Sequence, residues 1–380
     1  VIGKHPHKAI QLHLIAGARP NFMKIAPLWH RLKTHPVIKP VFIHTAQHRD
    51  AEMAASIWHE LGLPDPDHVL EWEPDVRDGA IAQIKQAYAH LCDQNRPDAV
   101  LVVGDVNSSR AAAEVASSKG IALVHLEAGL RCFDPDMPEE ENRIAIDHLA
   151  DLLLTPSPDA DSNLLAEGIS ATKIHQVGNI MIDTLVMMEE QIRQVNLTNQ
   201  HGLTVKPTVV VTLHRPGNVD EANTLRRICD ALCDIAKHHQ VCWPIHPRTK
   251  HRLVQSDDLE RLITAGIKVI DPLGYVAFGK LMRDARLVIT DSGGVQEETS
   301  WLGIDCLTVR PMTERPVTTK YGTNQLVCYD QLVATALKRL ERVPIEGNKN
   351  SGLAELPLWD GNTASRVIDV LERWLATDQV

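Results

Sequence analysis

Short apolar runs alternate with longer amphipathic stretches along almost the whole chain, in two successive series. A brief, continuously apolar run suits a strand buried on both faces, and a 3.6-residue period suits a helix that covers it. In the first series, residues 10–16, 37–45, 99–103, 121–125 and 152–155 read as strands, and 21–33, 48–61, 79–93 and 108–119 as helices. Pro20 stands where it opens the first of these helices. In the second series, strands are expected at 209–213, 241–245, 268–270, 287–290 and 306–309, with helices at 221–238, 275–284 and 295–302. This recurrent alternation of strand and helix implies a parallel sheet with helices on both faces. The expected fold is therefore α/β: two Rossmann-like, doubly wound parallel-sheet domains facing across a cleft, with ligands beyond the carboxyl ends of the strands. The expected domains are residues 1–188 and 189–362, joined through 189–206, which is rich in Gln, Asn and Thr. A last amphipathic stretch, within 363–380, is expected to close back toward the first domain. A length of 380 residues, at about 150 per domain, accommodates this plan.

Acidic residues outnumber basic ones, 49 to 39, for a formal net charge of −10. That balance argues against a phosphate-backbone footprint, so no nucleic-acid partner is expected, although a local cationic pocket remains compatible with it. No apolar run approaches the ~18 residues of a membrane span, and no membrane partner is expected. The first ten residues hold Lys4, His5, His7 and Lys8 and lack an apolar signal core. The 7 cysteines are odd in number and irregularly spaced, which favours a reducing compartment over a disulfide framework. A cytoplasmic location is the expectation. Cys229 and Cys233 lie four apart on an expected helix, a spacing that reads as core, and no metal site is expected.

Polar residues cluster where the strands should end. Gly17-Ala18-Arg19-Pro20, Gly104-Asp105, His125-Leu126-Glu127-Ala128-Gly129, His214-Arg215, His246 and Asp291-Ser292-Gly293-Gly294 all occupy such positions. Ser292-Gly293-Gly294 at a helix start could cradle a phosphate on exposed N–H groups, or could be a plain turn with an N-capping serine. Asp105, Glu127 and Glu139 are three carboxylates from one half of the chain. Carboxylates held near one another have their pKa values pushed apart, which lets one act as base and another as acid. Each alone is more often a solvated or ion-paired side chain, but their recurrence at one edge favours a site. His214 beside Arg215 could contact a phosphate in the same way. There is no GxGxxG and no GxxxxGK[ST] segment.

On these residues the chain resembles the bacterial non-hydrolysing UDP-N-acetylglucosamine 2-epimerases, from about Leu12 to Leu326. The family's GTRPE…K.APL opening is similar to Gly17-Ala18-Arg19-Pro20-Asn21 followed by Lys24 and Ala26-Pro27-Leu28. Its QHR, GDT and HVEAGLR segments resemble Gln47-His48-Arg49, Gly104-Asp105-Val106 and residues 125–131. Its PEExNR, TDSGGxQEE and TERP segments resemble residues 138–143, 290–298 and 313–316.

The resemblance implies the two-domain architecture of the GT-B sugar-nucleotide glycosyltransferases and a UDP-sugar substrate. It implies reversible inversion at carbon 2 of UDP-N-acetylglucosamine, giving UDP-N-acetylmannosamine, by elimination and re-addition of UDP through a glycal. No cofactor, neither nicotinamide nor metal, is implied. It assigns Asp105, Glu127 and Glu139 to acid/base work and His214 to the leaving diphosphate. It places Arg19, Lys24, Arg143, His246, Phe278, Ser292, Gly293, Gly294, Glu298 and Arg315 on the UDP and sugar, with Phe278 near the uracil and Glu298 on the ribose. Gln47 and His48 match an activator site in some members, and a homodimer serving cell-surface polysaccharide synthesis is the family expectation. The family's HRREN reads His214-Arg215-Pro216-Gly217-Asn218 here, and RDTTERPE reads as residues 310–317 with Pro311-Met312 in place of its Asp-Thr and Val317 in place of its last Glu. These departures spare the carboxylates and leave the sugar open. A UDP-2,3-diacetamido-glucuronic acid 2-epimerase, a hydrolysing epimerase releasing N-acetylmannosamine, a glycosyltransferase and a non-catalytic sensor are the alternatives.

Overall fold

The computed structural model describes residues 9–46, 51–72, 79–135, 137–197, 208–342 and 356–377. The chain divides into two compact units, one of residues 1–187 with 357–380 and one of residues 188–356.

The first unit holds seven strands: β1 (Ile10–Ala16), β2 (Ile38–His44), β3 (His68–Val69), β4 (Ala99–Val103), β5 (Ala122–Leu126), β6 (Leu152–Thr155) and β7 (Ile174–Gln176). They lie in the order β3-β2-β1-β4-β5-β6-β7, all parallel. The order reverses direction between β1 and β4, which is the switch point where such sheets leave a crevice. The strands are apolar on both faces because helices cover both. Ile43 joins a core cluster with Ile15, Val100 and Leu123, while its neighbour Phe42 packs on the other face against Phe22 and Trp58. His13, buried within β1, meets the Tyr88 hydroxyl at 3.0 Å. Burial, then the nearby His68, pushes its imidazole down to about 4, so this histidine sits neutral in the core.

The second unit holds β8 (Val209–Thr212), β9 (Val241–Pro244), β10 (Lys268–Ile270), β11 (Leu287–Thr290), β12 (Asp305–Thr308) and β13 (Asn324–Leu326). Their order, β10-β9-β8-β11-β12-β13, is again parallel and reverses between β8 and β11. Alternate residues feed two cores: Val209, Val211 and Trp243 on one face, Val210, Cys242 and Val288 on the other. Cys229 fills the first of these cores. Burial, then Asp258, pushes its thiol up to about 12, as for an apolar filler.

The segment expected as a plain connection contains a helix, Glu189–Gln194, anchored by Glu189 to Arg283 at 3.2 Å. The last helix, Thr363–Thr377, belongs to the first unit. Asp183 accepts from Thr363 N at 3.0 Å and Ala364 N at 2.7 Å, so a side chain from far upstream satisfies its first orphan donors. Trp359 Nε1 donates to Pro156 O at 2.9 Å and Arg366 Nε to Val177 O at 2.6 Å. Gly178 permits this docking: its φ is +95°, and a Cβ there would lie 2.1 Å from Leu358 O. Gly178→Ala is therefore expected to lower the stability of the first unit by roughly 2–4 kcal/mol in denaturant unfolding. Gly120→Ala, at φ +59° with open space around it, should lose only about 1–2 kcal/mol.

Candidate active site

In the first unit the residues after β1 and β4 are tied to each other. Asn21 Oδ1 accepts from Gly17 N at 3.0 Å and Ala18 N at 2.9 Å, and its Nδ2 donates to Val103 O at 3.1 Å. A Cβ on Gly17 would lie 2.0 Å from Ser108 Oγ, so only glycine lets the β1 exit pass so close to the helix Asn107–Ser118. Arg19, half-buried, opens the helix Arg19–Leu32. One turn on, buried Lys24 forms an ion pair with buried Glu127. Both ends of that pair crowd Gly104: a Cβ there would lie 2.7 Å from Lys24 Nζ and 3.2 Å from Glu127 Oε2.

The next residue, Asp105, accepts from Arg143 Nε at 2.9 Å. Arg143 Nη1 in turn pairs with Glu140. Glu140 also accepts from Cys132 N at 3.0 Å and Phe133 N at 2.8 Å, fixing the loop that precedes the helix Pro138–Leu149. Asn142 Nδ2 donates to the Asp105 carbonyl at 2.9 Å. Glu139 sits half-buried in the first turn of that helix, where the helix dipole favours a carboxylate. Lys24–Glu127 and Arg143–Asp105 are thus two ion pairs on either side of Gly104, beside the β1/β4 switch point, with Glu139 on the same helix as Arg143. The Arg143 guanidinium is engaged by two carboxylates. Such a set can take a proton from, or return one to, a neutral carbon acid. Gln47 and His48 lie outside the described residues.

The second unit arranges polar groups at its own switch point. Asp291, wholly buried after β11, accepts from His214 N at 3.1 Å, Arg215 N at 2.9 Å and Asn218 Nδ2 at 3.0 Å. Its Oδ1 is also 3.1 Å from His214 Nδ1. A carboxylate can only accept, so Nδ1 carries the proton there. Burial alone would raise the Asp291 carboxyl, but the His214 ring, Asn218 and the Arg215 N–H outweigh it and hold it below the usual carboxylate range.

Ser292 takes the N-cap position of the helix Gly293–Leu302, yet its side chain makes no capping bond. By helix geometry the first N–H groups there lack intrahelical acceptors, which is the property an anion uses. Arg315 lies over this turn: a Cβ on Gly293 would be 2.5 Å from Arg315 Nη1. Its guanidinium is held by Glu297 at 2.9 Å and Glu314 at 3.0 Å. Glu298, buried one turn further, accepts from Tyr275 Oη at 2.8 Å. Phe278, in the helix Tyr275–Asp284, is partly buried against the cluster around Val288. His246 is exposed, and its Nδ1 accepts from Arg248 N at 3.2 Å, so it caps the helix Pro247–Gln255.

Residues given no role from the sequence complete both groups: Asn21, Glu140 and Asn142 in the first unit, Asp291, Glu297 and Tyr275 in the second. Asp291 carried the clearest signal, an acidic residue ending one strand as His214 ends another. Among the described residues no cluster of His, Cys, Asp and Glu could hold a metal ion, and no helix is long and apolar enough to cross a membrane.

The family model described as UDP-N-acetylglucosamine 2-epimerase matches residues 30–372. The UDP-N-acetylglucosamine 2-epimerase of Methanocaldococcus jannaschii is 34% identical over 368 residues, covering 95% of this chain and 99% of that one. The UDP-2,3-diacetamido-2,3-dideoxy-D-glucuronate 2-epimerase of Pseudomonas aeruginosa is 33% identical over 367 residues, covering 94% and 98%. The crystal structure of the M. jannaschii enzyme in complex with UDP-GlcNAc and UDP aligns with a TM-score of 0.86 over 96% of this chain and 100% of that one. With the order of its strands, its strand-end residues and these matches in agreement, the chain belongs to the UDP-N-acetylglucosamine 2-epimerase family.

Proposed function

We propose that this chain catalyses the reversible, non-hydrolysing 2-epimerisation of UDP-N-acetylglucosamine to UDP-N-acetylmannosamine. The supporting observation is a division of chemistry between two units of like strand order. One carries the ion pairs Lys24–Glu127 and Arg143–Asp105 on either side of Gly104 beside its switch point, and the other carries an anion-favouring helix start beside an Asp-oriented histidine. The proton on carbon 2 is weakly acidic, so direct removal without loss of a leaving group is costly. In the proposed reaction a carboxylate takes that proton while the bond from carbon 1 to the UDP oxygen breaks, giving a glycal and UDP. A carboxyl group then returns a proton to the opposite face of carbon 2, and the UDP oxygen re-forms its bond to carbon 1. Charge builds on the departing diphosphate, and donors placed in advance stabilise it. Ser292, Gly293, Gly294, His214, Arg215 and Arg315 are the groups for this task, and Glu298 suits the ribose hydroxyls.

A second reading, 2-epimerisation of a UDP-diacetamido-glucuronic acid, stands beside it because the P. aeruginosa relative of that name is almost as similar, at 33% identity. Incubation in deuterated water separates the readings. Deuterium at carbon 2 of recovered UDP-N-acetylglucosamine and UDP-N-acetylmannosamine, with no free sugar, is the expected result. Exchange confined to the diacetamido-uronic acid would favour the second reading, and free N-acetylmannosamine with equal UDP would show hydrolysis instead.

A further inference from the structure

A buried charge network distinct from the Lys24–Glu127 and Arg143–Asp105 pairs grips the backbone on either side of Glu127 and at Gly104. His125, Arg131 and Asp147 are all essentially inaccessible. Asp147 Oδ1 lies 2.6 Å from His125 Nδ1, and Asp147 Oδ2 accepts from Gly129 N at 3.1 Å and pairs with Arg131 Nη1 at 2.8 Å. Arg131 also binds Glu167 through two contacts of 2.7 Å. The other His125 nitrogen, Nε2, is 3.1 Å from the Gly104 carbonyl. Both ring nitrogens thus face groups that accept hydrogen bonds, one on each side of the imidazole. Burial would raise the Asp147 carboxyl, but the charge and hydrogen bond of His125, with Arg131, hold it below its ordinary range.

The backbone that this network holds is strained. Glu127 has φ +72°, a left-handed conformation that costs a non-glycine residue about 1–2 kcal/mol. Gly104 and Gly129, on either side of the site, have φ +63° and +79°. Asp147 reaches residues 125, 129 and 131, which bracket Glu127, and through His125 it reaches the residue before Asp105. A buried set of charges is a poor way to gain stability compared with apolar packing. It is a good way to impose one geometry on a loop that would otherwise relax.

We infer that Asp147 and His125 are positioning residues for the epimerisation, holding the Gly104–Asp105 turn and the left-handed Glu127 in the arrangement that places their carboxylates. The inference rests on the epimerase reading above. Its test uses the full chain and three variants: Asp147→Asn, His125→Asn and His125→Gln. The Gln amide reaches the position of Nε2 and can still donate to Gly104 O, whereas Asn reaches only the position of Nδ1. Turnover is counted per UDP-binding molecule, by calorimetric titration with UDP, so unfolded protein does not enter the rate. Asp147→Asn and His125→Asn should lose at least ~30-fold in kcat with KM moving less than ~3-fold, and His125→Gln should recover about 10-fold of that loss, as misplacement of reacting groups predicts. If Asp147→Asn does not fold, the His125 pair decides, since it leaves the Asp147–Arg131 contact in place. Equal kcat per binding site in His125→Gln, His125→Asn and wild type would overturn the positioning role while leaving the epimerase reading intact. Absence of carbon 2 exchange in the wild type would overturn both.

Discussion

Asp105→Asn, Glu127→Gln and Glu139→Gln are each expected to lower turnover ~100-fold or more while UDP affinity stays within several-fold, as loss of a general acid or base does. The three differ in what else they disturb, and that difference checks the structure. Glu127 is paired with Lys24, and both are buried. Removing its charge leaves an ammonium in the interior without its closest counter-charge, so Glu127→Gln should also destabilise the first unit by roughly 3–5 kcal/mol. Asp105→Asn leaves Arg143 with Glu140 as a partner, and its stability loss should be smaller. Glu139 is half-buried at a helix start, where a carboxylate contributes only about 0.3–1 kcal/mol. Steady-state kinetics, UDP titration and urea unfolding of the three variants read these predictions separately. Activity near wild type in all three would remove the acid/base assignment.

Asp291→Ala is expected to do the comparable damage in the second unit. Four donors converge on this carboxylate, two from the backbone after β8 and two from the His214 and Asn218 side chains. Without it the backbone donors are left unsatisfied in the interior, at about 1–3 kcal/mol each, and the total loss should be roughly 3–5 kcal/mol. The His214 ring also loses the contact that orients it, so turnover should fall along with stability. Asp291→Asn keeps the shape but turns an NH₂ group toward donors, and it should recover only part of the loss. The same carboxyl makes the unit acid-sensitive. Its folded value lies below the ordinary one, so its stabilisation is complete above the unfolded value of roughly 3.9 and is lost as pH falls through the lower folded value. Asp147 places an equivalent group in the first unit. Unfolding midpoints of the wild type should therefore drop steeply below about pH 4, and that slope should flatten in Asp291→Asn.

Much of the fold was legible in advance because a buried parallel strand writes an unbroken apolar run into the sequence. Residues 10–16, 99–103, 152–155, 268–270 and 287–290 are strands with the bounds that the pattern suggested. Three of the four edge strands were not legible. β3 has two residues, β7 three, and β13 consists of Asn324, Gln325 and Leu326, so none is long or apolar enough to show a period. The helix Glu189–Gln194 was hidden by its polar composition. The helices Pro247–Gln255 and Asp258–Thr264 lie in a segment where charged residues outnumber the apolar ones that would have marked a face.

The sequence by itself located the ends of the apolar strands and the polar residues that stand there, since a strand's length and the residue ending it are both local properties. Which of those residues meet was decided only by the tertiary structure. Lys24 and Glu127 are 103 residues apart, and His214 and Asp291 stand 77 apart. His214 and Asp291 were joined by a sheet order that puts the first and fourth strands of the second unit side by side, and Lys24 and Glu127 by one that sets the first, fourth and fifth strands of the first unit in succession. No local period encodes that order, because it arises from packing helices on both faces of a twisted sheet, and so the partners of the candidate residues became visible only in three dimensions.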